Sequence, residues 1–166
     1  MKAQQRSALG TGLVIAALIV AADQATKALA LNLLAPYAPV DVLPVLNFTL
    51  AFNPGAAFSF LAAAGGWQRW FLVVVALAVS VYLLVWLRGL SAGDRLQAVG
   101  LGLILGGAIG NVIDRLRLGE VIDFIDVHYA GWHWPAFNIA DSAISIGVFL
   151  VLLCALRDWR RERKTG

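Results

Sequence analysis

Four stretches of this chain are long and apolar enough to cross a bilayer, and that leaves little freedom in what it can fold into. A crossing takes about 20 mainly apolar residues. Hydrocarbon holds no water to satisfy an open backbone, so only a helix or a closed barrel can span it. The stretches run from about Leu9 to Leu31, Trp67 to Leu87, Leu96 to Ile113 and Phe137 to Leu156. The third carries no charge, the first holds Asp23 and Lys27, and the fourth holds Asp141 near its start. Composition agrees: 60% of the residues are hydrophobic and 14% charged, where a soluble domain carries about 25% charged. The expected fold is an all-α polytopic membrane protein with four transmembrane helices. No linker divides residues 1–166, and a single domain of about this size is ordinary.

The basic residues orient the spans, because loops rich in Lys and Arg stay on the cytoplasmic side. Lys2, Arg6, Arg88, Arg95, Arg157, Arg160, Arg161, Arg163 and Lys164 fall on one side, and Lys27, Arg69, Arg115 and Arg117 on the other. Both termini are therefore expected in the cytoplasm of a bacterial inner membrane, with residues 36–66 and 114–136 outside and 88–95 a short inner turn. Trp67, Trp70 and Trp86 suit interfacial belts. The first apolar run exceeds a signal-peptide core of about 7–15 residues, so it reads as a retained helix. The net charge of +3 follows from topology and calls for no nucleic-acid partner. Cys154 lies deep in the fourth span, where a bland thiol is expected.

Polar residues gather at the outer ends of the spans. Asp23 and Lys27 stand four apart and can pair on one helix face. Near the end of its span, Lys27 could snorkel while Asp23 sits deeper. Ionisable groups in a membrane segment raise a functional hypothesis, although a structural pairing with the third helix answers as well. That helix carries Ala98, Gly102, Gly106 and Gly110 at four-residue spacing, the small-residue row that lets helices approach closely in lipid. The row leads to Asn111, Asp114 and Arg115, which share a face and serve either as a clasp or as site residues.

The outer segments read as β-like. Val45 to Phe52 is rich in strand formers, and Asn53-Pro54-Gly55 is a turn signature. Ala56 to Leu61 is then expected to complete an apolar hairpin lying on the bilayer surface. Val121 to Val127 alternates, with Asp123 on an aliphatic face and Asp126 on the other. Asn138 is a candidate N-cap of the fourth helix, with Asp141 in its first turn, either as a capping-box acid or as a reactive one. Two carboxylates in contrasting settings suit aspartic hydrolysis, in which the pair shares a proton. On spacing, Asp126 competes with Asp123 as the partner of Asp141.

Five motifs, in order, resemble the lipoprotein signal peptidases, or signal peptidase II, over almost the whole chain. They are Asp23-Gln24-Ala25-Thr26-Lys27, Asn53-Pro54-Gly55-Ala56-Ala57-Phe58, the run from Gly106 to Arg115, Val121 to Asp126, and Phe137 to Ser142. The resemblance implies an aspartic endopeptidase with Asp123 and Asp141 catalytic. It places Asp23, Lys27, Asn53, Gly55, Asn111, Asp114, Arg115 and Asn138 in lining or supporting positions. It further implies a prolipoprotein substrate whose cysteine already carries diacylglycerol, cleavage on the amino side of that cysteine, and inhibition by the cyclic peptide globomycin. No cofactor and no metal are implied; His128 and His133 lack a matching ligand set and suit interfacial anchoring. A site that must admit a helix from the bilayer favours a monomer.

Two other classes compete. A small proton-coupled transporter would explain membrane carboxylates, but it needs polar residues along a path, whereas these acids gather at one face. A scaffold subunit would explain the glycine row but not the paired acids.

Overall fold

The structure, a computed structural model, describes residues 2–55 and 65–165. Four helices, α1 (Lys2–Leu33), α2 (Trp67–Gly89), α3 (Arg95–Arg117) and α4 (Ile139–Thr165), each contain a stretch long and apolar enough to span a membrane. Four strands, β1 (Val40–Leu43), β2 (Leu46–Asn53), β3 (Val121–Tyr129) and β4 (Trp132–His133), form one antiparallel sheet in the order β1-β2-β3-β4. The two outer segments, read separately in the sequence, thus meet in a single sheet. The described partners of β2 are β1 and β3, and β1 was not foreseen. The expected second hairpin arm, Ala56 to Leu61, lies outside the described residues.

The helix ends have local causes. Ser91 donates through its backbone N–H and its hydroxyl to Asp94 Oδ2, at 2.9 and 2.7 Å, closing the turn between α2 and α3. Gly119 adopts φ +92° and its N–H returns to the Arg115 carbonyl, a left-handed stop that terminates α3. Ala130 and Gly131, with φ of 50° and 83°, make the tight turn between β3 and β4. The fourth helix starts two residues later than its apolar run suggests. Phe137 is tied to β3 through bonds with Phe124 and Ile125, and Asn138 caps the helix.

The third helix is the central one: α1, α2 and α4 all pack on it, and α2 and α4 share no extensive interface. In lipid the hydrophobic effect does not draw helices together, so close packing must. A Cβ at Gly102 would sit 2.5 Å from the Gly12 carbonyl, and one at Gly106 would sit 2.7 Å from that of Ala16. On another face, Gly100 and Gly107 lie against Gly147 and Ala140 of α4. One apolar cluster, around Leu83, Leu87, Leu101 and Leu105, fills the bundle. A second, of Ala30, Leu50, Ile122 and Phe124, joins α1 to the sheet. Along α1, Asp23 and Lys27 fall between the two.

Candidate active site

The polar core is built outward from Lys27, whose residue is 1% exposed. Its Nζ lies 2.9 Å from Asp23 Oδ2, 2.7 Å from Asp114 Oδ2 and 3.0 Å from Asn111 Oδ1, so each ammonium proton has an oxygen. The side chain does not snorkel to the interface. It turns inward because two buried carboxylates pull it there, and a buried ion group is tolerable when fully paired. Gln24 completes the knot, donating to Asp114 Oδ1 at 2.9 Å and to Asp23 Oδ2 at 3.2 Å. Asp23 Oδ1 accepts the Ala140 N–H at 3.0 Å, and Asp114 Oδ2 accepts that of Ile122 at 3.3 Å. The first turn of α4 and the start of β3 are thereby fastened to the ion cluster. Gly110 leaves the space that Asp23 occupies: a Cβ there would meet its Oδ2 at 2.5 Å.

Asp123 and Asp141 stand on either side of Asn138, which is fully buried. Asn138 Nδ2 donates to Asp123 Oδ1 at 2.7 Å, and its Oδ1 accepts the Asp141 N–H at 2.9 Å. Asp141 Oδ2 in turn accepts the Asn138 N–H at 3.3 Å, completing a reciprocal capping box. The capping reading of Asp141 therefore holds in geometry, and it also aims the carboxylate: Oδ1 accepts from Asn111 Nδ2 at 2.8 Å. Asp123 Oδ2 accepts from Asn53 Nδ2 at 3.2 Å. Asn53 is held by its own turn, because its Oδ1 accepts the Gly55 N–H at 3.0 Å. Arg115 donates to the Gly55 carbonyl at 2.7 Å, bringing a buried cation to the same corner. Burial pushes the Asp123 carboxyl up to about 7; the Asp141 charge adds to the rise, and the amides of Asn53 and Asn138 oppose it.

Asp126 is elsewhere. It lies on the opposite face of β3, with His133 Nδ1 at 2.9 Å from its Oδ1. His128 and His133 stack with centroids 5.1 Å apart, and His128 Nε2 is 3.0 Å from the Asn47 amide. Of the two acids that compete on spacing, Asp123 is the one on the face of β3 that meets the start of α4.

A sequence profile described as Signal peptidase (SPase) II matches residues 15–157. The chain belongs to the signal peptidase II family. It is 54% identical over 145 residues to the lipoprotein signal peptidase of Polynucleobacter necessarius subsp. necessarius, covering 87% of this chain and 88% of that one. It is 49% identical over 151 residues to that of Pseudomonas syringae pv. tomato, covering 90% and 85%. A bacterial membrane enzyme solved by the in meso method superposes with a TM-score of 0.81 at 35% identity, covering 90% of this chain and 89% of that one. This signal peptidase is therefore a multi-pass membrane protease of lipoprotein processing. Family membership leaves no support for the transporter reading.

The ten residues that the resemblance assigns to the site all converge on one end of the bundle. Asp23, Lys27, Asn111 and Asp114 form the ion knot, and Asn53, Gly55, Arg115, Asn138, Asp123 and Asp141 the adjoining carboxylate corner. Gln24 was not singled out. Its signal was present, since it adjoins Asp23 in a membrane segment and carries donors and an acceptor that burial obliges to be used.

Proposed function

We propose that Asp123 and Asp141 are the catalytic dyad of an aspartic endopeptidase. It removes the signal peptide from diacylglyceryl-modified prolipoproteins, cutting on the amino side of the lipidated cysteine. The observation that carries this is the placement of both carboxylates about one buried amide, Asn138, where β3 meets the N-terminus of α4. Neighbouring carboxylates in a dry site do not both ionise, so the pair holds one proton between them.

The reaction follows from that shared proton. The ionised carboxylate takes a proton from water, and the oxygen of the resulting hydroxide bonds to the scissile carbonyl carbon. The protonated partner gives its proton to the carbonyl oxygen, leaving a neutral tetrahedral diol. On collapse the carbon–nitrogen bond breaks, and the amine nitrogen takes the proton that came from water. One diol hydroxyl returns its proton to the partner, and the resting state is restored.

Asn53, Gly55, Arg115, Asn111 and Asn138 position these groups, while Asp23, Lys27 and Asp114 hold the frame. The signal peptide and lipid chains approach within the bilayer, through the side where α2 and α4 leave each other free. The single domain of residues 1–166 acts as a monomer, with both termini cytoplasmic and the dyad at the outer face of the inner membrane. Globomycin occupies the same site as an inhibitor.

The test is cleavage of a diacylglyceryl-modified prolipoprotein by purified protein in detergent. Asp123→Asn and Asp141→Asn should each lower kcat by at least about 1000-fold, while Asp126→Asn retains activity and globomycin blocks the wild type. Folded Asp123→Asn or Asp141→Asn protein that cleaves at near wild-type rates would rule the dyad out.

A further inference from the structure

Asn111 has one tolerable orientation. Its Oδ1 accepts from Lys27 Nζ at 3.0 Å and from Asn138 Nδ2 at 3.3 Å, and its Nδ2 donates to Asp141 Oδ1 at 2.8 Å. Turned over, the amide would set its NH2 against an ammonium and a second NH2, neither of which can accept. Lys27 cannot withdraw to relieve such a flip, because Asp23 and Asp114 hold it at 2.9 and 2.7 Å.

The two carboxylates are served unequally. Asp141 faces the Asn111 amide and the Asn138 backbone N–H, both obligate donors, at the N-terminus of a helix whose dipole favours negative charge. Asp123 lies on a strand and takes the Asn53 amide at 3.2 Å. Its other donor, Asn138 Nδ2, is shared with the Ile122 carbonyl at 3.1 Å and with Asn111 Oδ1.

We propose that Lys27 is a positioning residue for cleavage. Pinned between Asp23 and Asp114, it fixes the Asn111 amide so that an N–H faces Asp141, which makes Asp141 the proton acceptor and leaves Asp123 holding the proton. This assignment rests on the dyad reading above. The elevated Asp123 carboxyl, near 7 through burial, agrees with it.

Asn111→Asp tests the relay in the full-length protein acting on diacylglyceryl-modified prolipoprotein. The substituted side chain still offers oxygen to Lys27 and Asn138, but it faces Asp141 with a carboxyl instead of an N–H. Near neutral pH, kcat should fall about 100-fold, with KM within about two-fold because substrate contacts are untouched. Towards acid, a proton on the substituted carboxyl restores a donor to Asp141, so the pH optimum moves down relative to wild type. An equal loss at every pH, or an unchanged kcat, overturns the relay.

Should Asn111→Asp fail to fold, infrared spectra of the dyad variants decide. The protonated-carboxyl band present in wild type below pH 7 should vanish in Asp123→Asn and persist in Asp141→Asn; the reverse pattern sinks the assignment. Both tests assume that the two dyad variants are inactive. If either cleaves normally the dyad itself is wrong, whereas inactive variants with an unshifted Asn111→Asp profile refute only the relay.

Discussion

A carboxyl whose folded value lies near 7, against an ordinary 3.8, ties the stability of the fold to pH. The folded chain holds the Asp123 proton more tightly than the unfolded chain does, so ionisation is paid for in the folded state alone. The full contribution is present below about pH 4, is lost progressively as pH rises from about 4 to about 7, and changes no further above that. At about 1.4 kcal/mol per unit, the span amounts to a few kcal/mol. Thermal unfolding in detergent should show wild type losing stability across this window, while Asp123→Asn, which cannot ionise, lacks that part of the slope. Parallel slopes in the two proteins would refute the buried-acid account. The burial of Asp123 was legible in the sequence, since Val121, Asp123 and Ile125 alternate onto one side of a strand. That Asp123 rather than Asp126 meets Asn138 was implied by the family resemblance but was not legible from spacing, because both faces of β3 carry acid and apolar residues. The inward turn of Lys27 was partly legible: spacing offers Asp23 and a pairing with the third helix, and the structure adds that Asp114 is the second carboxylate that draws it inward.

At the scale of elements, the glycines of α3 set how far α4 stands from it, and so where Asp141 points. A Cβ at Gly107 would overlap the Ala140 carbonyl and come within 2.7 Å of Ile144 Cγ1. Ala140 is the neighbour of Asp141, and its N–H is bonded to Asp23. Gly107→Ala should therefore push the first turn of α4 outward, cost at least about 1–3 kcal/mol through overpacking, and lower kcat even in the folded fraction. Gly10→Ala is the matched control. Nothing lies within 4 Å of a Cβ there, and alanine favours a helix over glycine by about 1 kcal/mol. Thermal unfolding and cleavage assays of the two variants check this; equal behaviour would refute the close-packing account. The row at 98, 102, 106 and 110 could be read from its period. Gly100 and Gly107 could not, because seven-residue spacing between two glycines in a glycine-rich helix is no signal until α4 is seen against them. The strand β1 was missed for a related reason: Val40–Leu43 is short, every one of its residues is exposed, and its strand state is conferred by pairing with β2.

For the molecule as a whole, the decisive quantity is orientation, since a dyad at the wrong face would meet no lipidated substrate. Nine basic residues flank the spans on the side of the termini and four lie at the other end, an imbalance that favours the cytoplasmic termini proposed above. The same end that is poor in free basic charge carries the sheet and the carboxylate corner, and two of its cations, Lys27 and Arg115, are buried in the polar cluster. Trp67 and Trp70 stand exposed at that end of α2, and Tyr129, Trp132 and Trp134 are exposed about the β3–β4 turn. Both groups suit the headgroup layer, where amphipathic rings settle, and would seat the sheet on the membrane surface. Fusion reporters test the orientation directly. Alkaline phosphatase, active only outside the cytoplasm, should be inactive when fused after Thr165 and active when inserted after Gly131, and a cytoplasmic fluorescent reporter should give the opposite pattern. Phosphatase activity at the C-terminal fusion would mean that the bundle is inverted. The dyad would then face the cytoplasm, and the path proposed for the lipidated substrate would fail with it.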